Sequence, residues 1–211
     1  YCSRPNWVNW LAGGSSVLPE EDGLKIPIDL AFALHTDAGI SKTDSIIGTL
    51  GIYCTDEQKQ YSNGTARLSA RDLTNLVMTN VTEDIRRQFE PTWRRRGMWD
   101  KNYAEARRPQ GPTMLLELLS HQNFMDMRYG TDPSFRFTVA RAIYKGMLQF
   151  LARRDGREYA VQPLAVGSFA INKGEGSRYM LTWQPTKDKC EPTAMPTYYI
   201  VEERGEGCKG F

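Results

Sequence analysis

Two short apolar runs, Ile28 to Leu34 and Met114 to Leu119, lie on either side of a stretch in which Leu73, Val77, Val81, Ile85 and Phe89 recur every fourth residue. Runs this short are strand-length, whereas a four-residue recurrence with Arg71, Glu83, Arg86 and Arg87 on the other faces describes an amphipathic helix that should end near Pro91. A chain that alternates strand-length runs with long helices must bury both in layers, which predicts an α/β fold. Ile46 to Cys54 is a further strand candidate, and its Gly48 and Gly51 suggest a bulge or a close backbone approach. The turn Ser62-Asn63-Gly64 follows it. Asp132-Pro133 supplies an N-cap and a first-turn proline for a helix through Val139, Ile143, Met147 and Phe150, closed by Arg153-Arg154-Asp155-Gly156.

After Gln162-Pro163 the pattern changes to short alternating segments, Ser168 to Ile171, Tyr179 to Trp183 and Thr197 to Val201, separated by loops rich in Gly, Pro, Lys and Glu. The expected organisation is an α/β domain over residues 1–160 and the start of a β-sandwich module over residues 163–211, too short to be a complete sandwich. The 211 residues suffice for a buried core. A net charge of +2 leaves no electrostatic footprint for nucleic acid or an anionic membrane. No apolar run approaches the roughly 20 residues of a membrane helix. Of the four cysteines, Cys190 and Cys208 fall together in the last part of the chain and leave two readings open, a disulfide or unpaired small apolar residues.

His35 ends the first apolar run and is followed at once by Thr36, Asp37, Ala38 and Gly39, and carboxyl ends of strands are where open α/β sheets place their sites. Glu117 is an acid inside an apolar strand, a costly position unless it is paired, metal-bound or protonated with a raised pKa. A general base working near neutral pH needs that upward shift. The structural alternative is a salt bridge with Arg107, Arg108 or Arg128. His121, four residues on, is placed to hydrogen-bond near either group. The stretch Trp93 to Trp99 could bind a sugar or an acidic group, although a solvated helix end explains it more simply.

His-Thr-Asp-Ala-Gly at His35 to Gly39 resembles the second zinc-ligand motif, S-I-H-A-D-A, of the zinc-dependent N-acetylmuramoyl-L-alanine amidases of bacterial cell walls. Leu115 to Asn123, LLELLSHQN, is similar to their catalytic V-E-L-G-F-L-S-N segment. Arg4 and Asn9 resemble the helix before the ligand strand, Arg107 to Thr113 the approach to the catalytic strand, and Asp132 to Leu151 the final helix, so the resemblance spans about residues 1 to 152. The tail, through Met180 to Pro185 and Pro196 to Val201, resembles the first strands of the fibronectin type III-like module found in a secreted Bacteroides-type subset loosely labelled xanthan lyases.

The resemblance implies an amidase-like mixed sheet flanked by helices, lacking its amino-terminal part, with a short β-rich tail. It implies a zinc ion with His35 as one ligand of three, since the family's first histidine, in a G-H-G-G motif, and its glutamate ligand would precede residue 1. It further implies Glu117 as the catalytic acid and base, with Asp37, His121 and Asn123 toward the substrate. The implied substrate is peptidoglycan or a related glycopeptide, cleaved at the N-acetylmuramoyl-L-alanine amide by an exported protein of the periplasm, cell envelope or extracellular space. A non-catalytic cell-envelope or glycan-binding protein on the same scaffold is the alternative.

Overall fold

The structure is a computed structural model, and it describes residues 2–55 and 59–203. The chain divides into two units, Tyr1–Tyr159 and Ala160–Phe211. In the first, α1 (Ser3–Ala12), β1 (Ala31–Asp37), β2 (Thr49–Tyr53), α2 (Leu68–Gln88), β3 (Arg95–Asp100), α3 (Ala104–Arg107), β4 (Thr113–Ser120), α4 (Phe124–Gly130) and α5 (Pro133–Asp155) follow in order. The strands form one mixed sheet in the order β1-β4-β2-β3. β1 runs parallel to β4, β2 antiparallel to β4, and β3 parallel to β2. This is a mixed α/β sheet flanked by helices, as the alternation of runs and long helices requires.

The two faces of the sheet bury different things. Met114 and Leu116 of β4 pack with Leu73, Val77, Val81 and Ile85 of α2 and with Phe135 and Val139 of α5 in the principal core. Complete burial of each such side chain contributes about 1.5–3 kcal/mol. On the opposite face Leu50, Ile52, Cys54 and Leu115 form a smaller cluster capped by Ala106 of α3. The ammonium of Lys145 on α5 meets Asp84 of α2 at 2.8 Å, with both side chains almost wholly buried, so the two helices are joined by a charge pair as well as by apolar contact. At the start of α5 the Asp132 side chain accepts from the Ser134 amide, and Gly156 closes the helix in the left-handed region at φ 63°. Both ends match the sequence signals.

Both glycines in the second run have steric reasons. A Cβ on Gly51 would lie 2.5 Å from Thr74 Cγ2, so β2 and α2 could not approach as they do. Gly48 has φ +80° and would place a Cβ 2.3 Å from the Arg94 carbonyl oxygen. The β2–β3 register shifts immediately afterwards, between Thr49 and Leu50.

Three expectations need correction. The first strand is Ala31–Asp37 and not Ile28 to Leu34, because its ladder begins where the Ala31 amide meets the Pro112 carbonyl and continues through His35 opposite Glu117. His35 therefore lies within the strand. Trp93 to Trp99 is not a solvated helix end: Trp93 is fully buried, its indole N–H donates to Thr49 Oγ1 at 2.9 Å, and Arg95–Asp100 is the sheet's outer strand β3. In the second unit, β5 (Gly167–Lys173) and β6 (Tyr179–Gln184) pair antiparallel, but Thr197 to Val201 is not a strand. That segment is held at Tyr199, whose ring meets Trp183 edge-on at 5.3 Å. A Cys190–Cys208 pairing involves a residue outside the described ones.

Among the described residues no helix is long and apolar enough to cross a membrane.

Candidate functional site

The parallel β1–β4 ladder sets His35 directly opposite Glu117. Residues opposed in a ladder project to the same face from backbones about 4.8 Å apart, so the imidazole and the carboxyl are neighbours above the sheet. On its other flank Glu117 is opposed by Leu50 of β2. Glu117 thus stands near the middle of the sheet, on the face with the smaller apolar cluster.

The carboxyl is poorly satisfied there. Glu117 Oε2 is buried and has no hydrogen-bond partner, a costly state for an ionised oxygen. Burial pushes the Glu117 carboxyl above its ordinary value; the Asp37 and Glu105 carboxylates push the same way, and the positive charges of His35 and Arg96 oppose them. Among the described residues Glu117 forms no ion pair with Arg107, Arg108 or Arg128; Arg128 points to the Met125 sulfur at 3.8 Å. The salt-bridge explanation for this acid is therefore absent.

His35 is held by a residue that the sequence did not single out. Its Nε2 lies 2.7 Å from Glu105 Oε2, and the other Glu105 oxygen accepts from Arg4 Nη1 at 3.0 Å. Glu105 belongs to the first turn of α3, the helix that caps this face. Beside the pair lies a cavity of about 240 Å³, lined by Arg4, Val8, Phe32, His35 and Glu105. It reaches His35 but not Glu117.

Asp37 ends β1 and pairs with Arg96 Nη1 of β3, while its other oxygen accepts from the Ala38 amide. Burial alone would raise the Asp37 carboxyl, but the Arg96 hydrogen bond and charge, with the Ala38 and Gly39 amides, outweigh it and hold the group below the usual range. Asp37 is thus a bound anion beside Glu117, whose carboxyl is pushed the other way by burial. Environment pushes two carboxyls on neighbouring strands in opposite directions, Asp37 downward and Glu117 upward.

His121 and Asn123 lie farther along. The His121 ring shares a hydrogen bond with Thr36 Oγ1 at 3.1 Å, and its amide donates to the Asp37 carbonyl, so it stays at the site's rim, exposed. Asn123 is only 2% exposed: its oxygen accepts from the Asp126 amide as the N-cap of α4, and its amide group donates to the Ser45 carbonyl. In this geometry it shapes a loop and presents no free group to a ligand. Asp126, fully buried, accepts from the amides of Ile47, Gly48 and Ser120, tying the loop before β2 to the end of β4.

The structure therefore brings together His35, Glu117 and Asp37, adds Glu105 and Arg96, leaves His121 adjacent, and sets Asn123 apart. Glu105 was missed, and Arg96 entered only as part of the Trp93 to Trp99 stretch, because their partners are distant in the chain. The only local hint was an acid in a first helical turn and a basic residue between two tryptophans. A catalytic zinc normally takes three protein ligands. Among the described residues no three His, Cys, Asp or Glu side chains are grouped to hold a metal, and His35 Nε2 is already engaged by Glu105. The donors present do not by themselves fit a zinc site.

No family model matches the chain, and no curated protein matches it. Solved structures that it is similar to include the N-acetylmuramoyl-L-alanine amidase of Clostridium difficile 630, at TM-score 0.47 and 17% identity over 58% of this chain and 57% of that one. The amidase AmiC2 of Nostoc punctiforme gives 0.46 and 19% over 59% and 58%. The catalytic domain of CwlV, an N-acetylmuramoyl-L-alanine amidase from Bacillus (Paenibacillus) polymyxa var. colistinus, gives 0.45 and 16% over 70% and 82%. At such values none of them assigns this chain to a family. The chain spans between half and two thirds of the length of the first two.

Proposed function

We propose that this chain carries the proton-transferring part of an amide hydrolase acting on cell-wall peptidoglycan, at the amide between N-acetylmuramic acid and L-alanine. The observation that supports it is the unpartnered Glu117 oxygen beside His35 on a parallel ladder, at the two positions where the sequence resembles an amidase ligand motif and an amidase catalytic motif. Glu117 takes a proton from the attacking water and hands it to the leaving amine, a double duty helped by burial that pushes its carboxyl above the ordinary value. Glu105 orients the His35 ring, and Arg96 keeps Asp37 charged. Zinc belongs to this reading only if His35 is joined by donors outside the described residues. No step above depends on it. The reading places the protein outside the cytoplasm, where its substrate is, and the second unit would then be the start of a fibronectin type III-like module.

The test is cleavage of a muropeptide amide by the longest polypeptide that contains this chain, with zinc supplied. Glu117→Gln keeps the size and removes the proton acceptor, so turnover should fall by about 10² or more with zinc content unchanged. His35→Ala should lower turnover as well and, if that polypeptide holds zinc, its zinc content with it. Undiminished turnover in Glu117→Gln would make Glu117 a structural acid. A protein that holds zinc and cleaves no muropeptide would favour the glycan-binding alternative.

A further inference from the structure

A second polar cavity, of about 400 Å³, opens between α1 and the approach to β4 and is lined by Asn6, Ser16, Arg67, Arg107, Arg108 and Gln110 with Asn9. Three of these side chains are guanidiniums and none is a carboxylate. Among the described residues no carboxylate balances them: Arg67, Arg107 and Arg108 form no salt bridge.

Two of the three are also short of hydrogen-bond partners. Arg67 is only 4% exposed, and its Nε and that of Arg107 are buried with nothing to donate to. Arg67 spends one donor on the Arg107 carbonyl at a long 3.4 Å, and its guanidinium lies over the Tyr61 ring, 4.5 Å from the centroid. Stacking of this kind fixes the plane of a guanidinium but satisfies no N–H. The remaining wall is prearranged. Asn9 accepts from the Gln110 amide and donates to the Arg108 carbonyl, and Gln110 Nε2 donates to that same carbonyl, which pins the backbone carrying Arg107 and Arg108.

A buried, uncompensated guanidinium is destabilising unless something anionic completes it. We propose that this cavity is a binding site for an oxyanion, a phosphoryl or carboxylate group that accepts N–H bonds from Arg67 and Arg107 and is neutralised further by Arg108. Arginine forks match the geometry of both groups. The cavity is well above the volume of one such group, so the anion would be the end of a larger ligand. The proposal does not rest on the amidase reading, since none of its residues belongs to the His35–Glu117 site.

The experiment uses the 211-residue chain, ¹⁵N-labelled, with its arginine Nε–H signals followed by NMR during titration with inorganic phosphate, with acetate, and with chloride at matched ionic strength. Saturable movement of the Arg67 and Arg107 Nε–H signals with phosphate or acetate, and not with chloride, is expected; phosphate points to a phosphoryl ligand and acetate to a carboxylate. Arg107→Gln should weaken the responding anion by about tenfold or more, equivalent to about 1.4 kcal/mol, while Arg107→Lys, which keeps charge but loses the fork, should fall between the two. Signals that stay still with both anions in the tens of millimolar, that move equally with chloride, or an Arg107→Gln chain that binds as well as the wild type, would overturn the proposal. The wild-type titration decides the matter even if the Arg107 variants do not fold.

Discussion

The two faces of the central sheet are built from the same four strands and are opposite in character. One is covered by α2 and α5 and is mainly apolar apart from the Lys145–Asp84 pair, with Leu73, Val77, Val81, Met114, Leu116 and Phe135 excluded from solvent. The other is met by the four-residue helix α3, has a small cluster around Leu50, Ile52 and Leu115, and carries His35, Asp37 and Glu117, with Glu105 of α3 against His35. β4 serves both. Alternate side chains of one strand go to the principal core and to the candidate site, so a well-packed scaffold and a poorly satisfied acid are one residue apart. Rigidity on the first face is what allows unsatisfied chemistry on the second, because residues held in a packed strand cannot relax to find partners.

The largest expected effect comes from removing the first face. Leu116→Ala should destabilise the chain by about 2–5 kcal/mol, since Leu116 is fully buried in the core that the side chains of α2 and α5 share. Leu115→Ala, on the thinly covered face, should fall at or below the lower end of that range because α3 can settle inward. Chemical denaturation of both variants checks the contrast; equal losses would mean that the faces are energetically alike. Next in size is Asp126→Asn, which turns one acceptor of the Ile47, Gly48 and Ser120 amides into a donor and should cost about 1–3 kcal/mol for each amide left unmatched. Thermal unfolding would read this as a fall of about 2–4 °C per kcal/mol.

A smaller test concerns the metal. With His35 alone among recognised ligands, and Nε2 bound to Glu105, this chain should retain well under one zinc per molecule after dialysis, by elemental analysis. Stoichiometric zinc would mean that Glu105, Asp37 or another carboxylate swings in, and the second face would then be a complete metal site.

The sequence was most legible where local signals decide the structure. Asp132-Pro133 and Gly156 bounded α5 because capping is a matter of a few adjacent residues, and the four-residue recurrence marked α2 because helix packing repeats at that spacing. β3 was illegible, since Arg95, Arg96 and Trp99 look solvated until the parallel ladder with β2 is formed. The start of β1 was misplaced because apolar character at Ile28 and Leu30 says nothing of where a ladder begins. Within the site, His35 and Glu117 stood out by residue type in an apolar setting. Glu105 and Arg96 did not, because their meaning comes from partners 70 and 59 positions away, which only the fold supplies.

The smallest effect is also the sharpest test of the second face. Burial holds the folded-state pKa of Glu117 above its ordinary value of about 4.5, so the folded chain binds more protons than the unfolded one between those two values. Stability contributed by the protonated carboxyl is present below about the unfolded value and is lost as pH rises through the folded one. Glu117→Gln cannot lose it. The variant should therefore match the wild type most closely below pH 4.5 and become more stable than it as pH rises, levelling off above the folded pKa. Because Glu117 is only partly buried and solvent screens it, the gain at neutral pH should be the smallest of these effects. Melting temperatures of both proteins across pH 4 to 8 would show it. A variant less stable than the wild type at neutral pH would mean that the carboxylate is held by a favourable charge after all, because neutralising one member of a buried ion pair leaves its partner uncompensated. In that case Glu117 would belong with the satisfied groups of the first face, and the difference between the two sides of the sheet would be one of composition only.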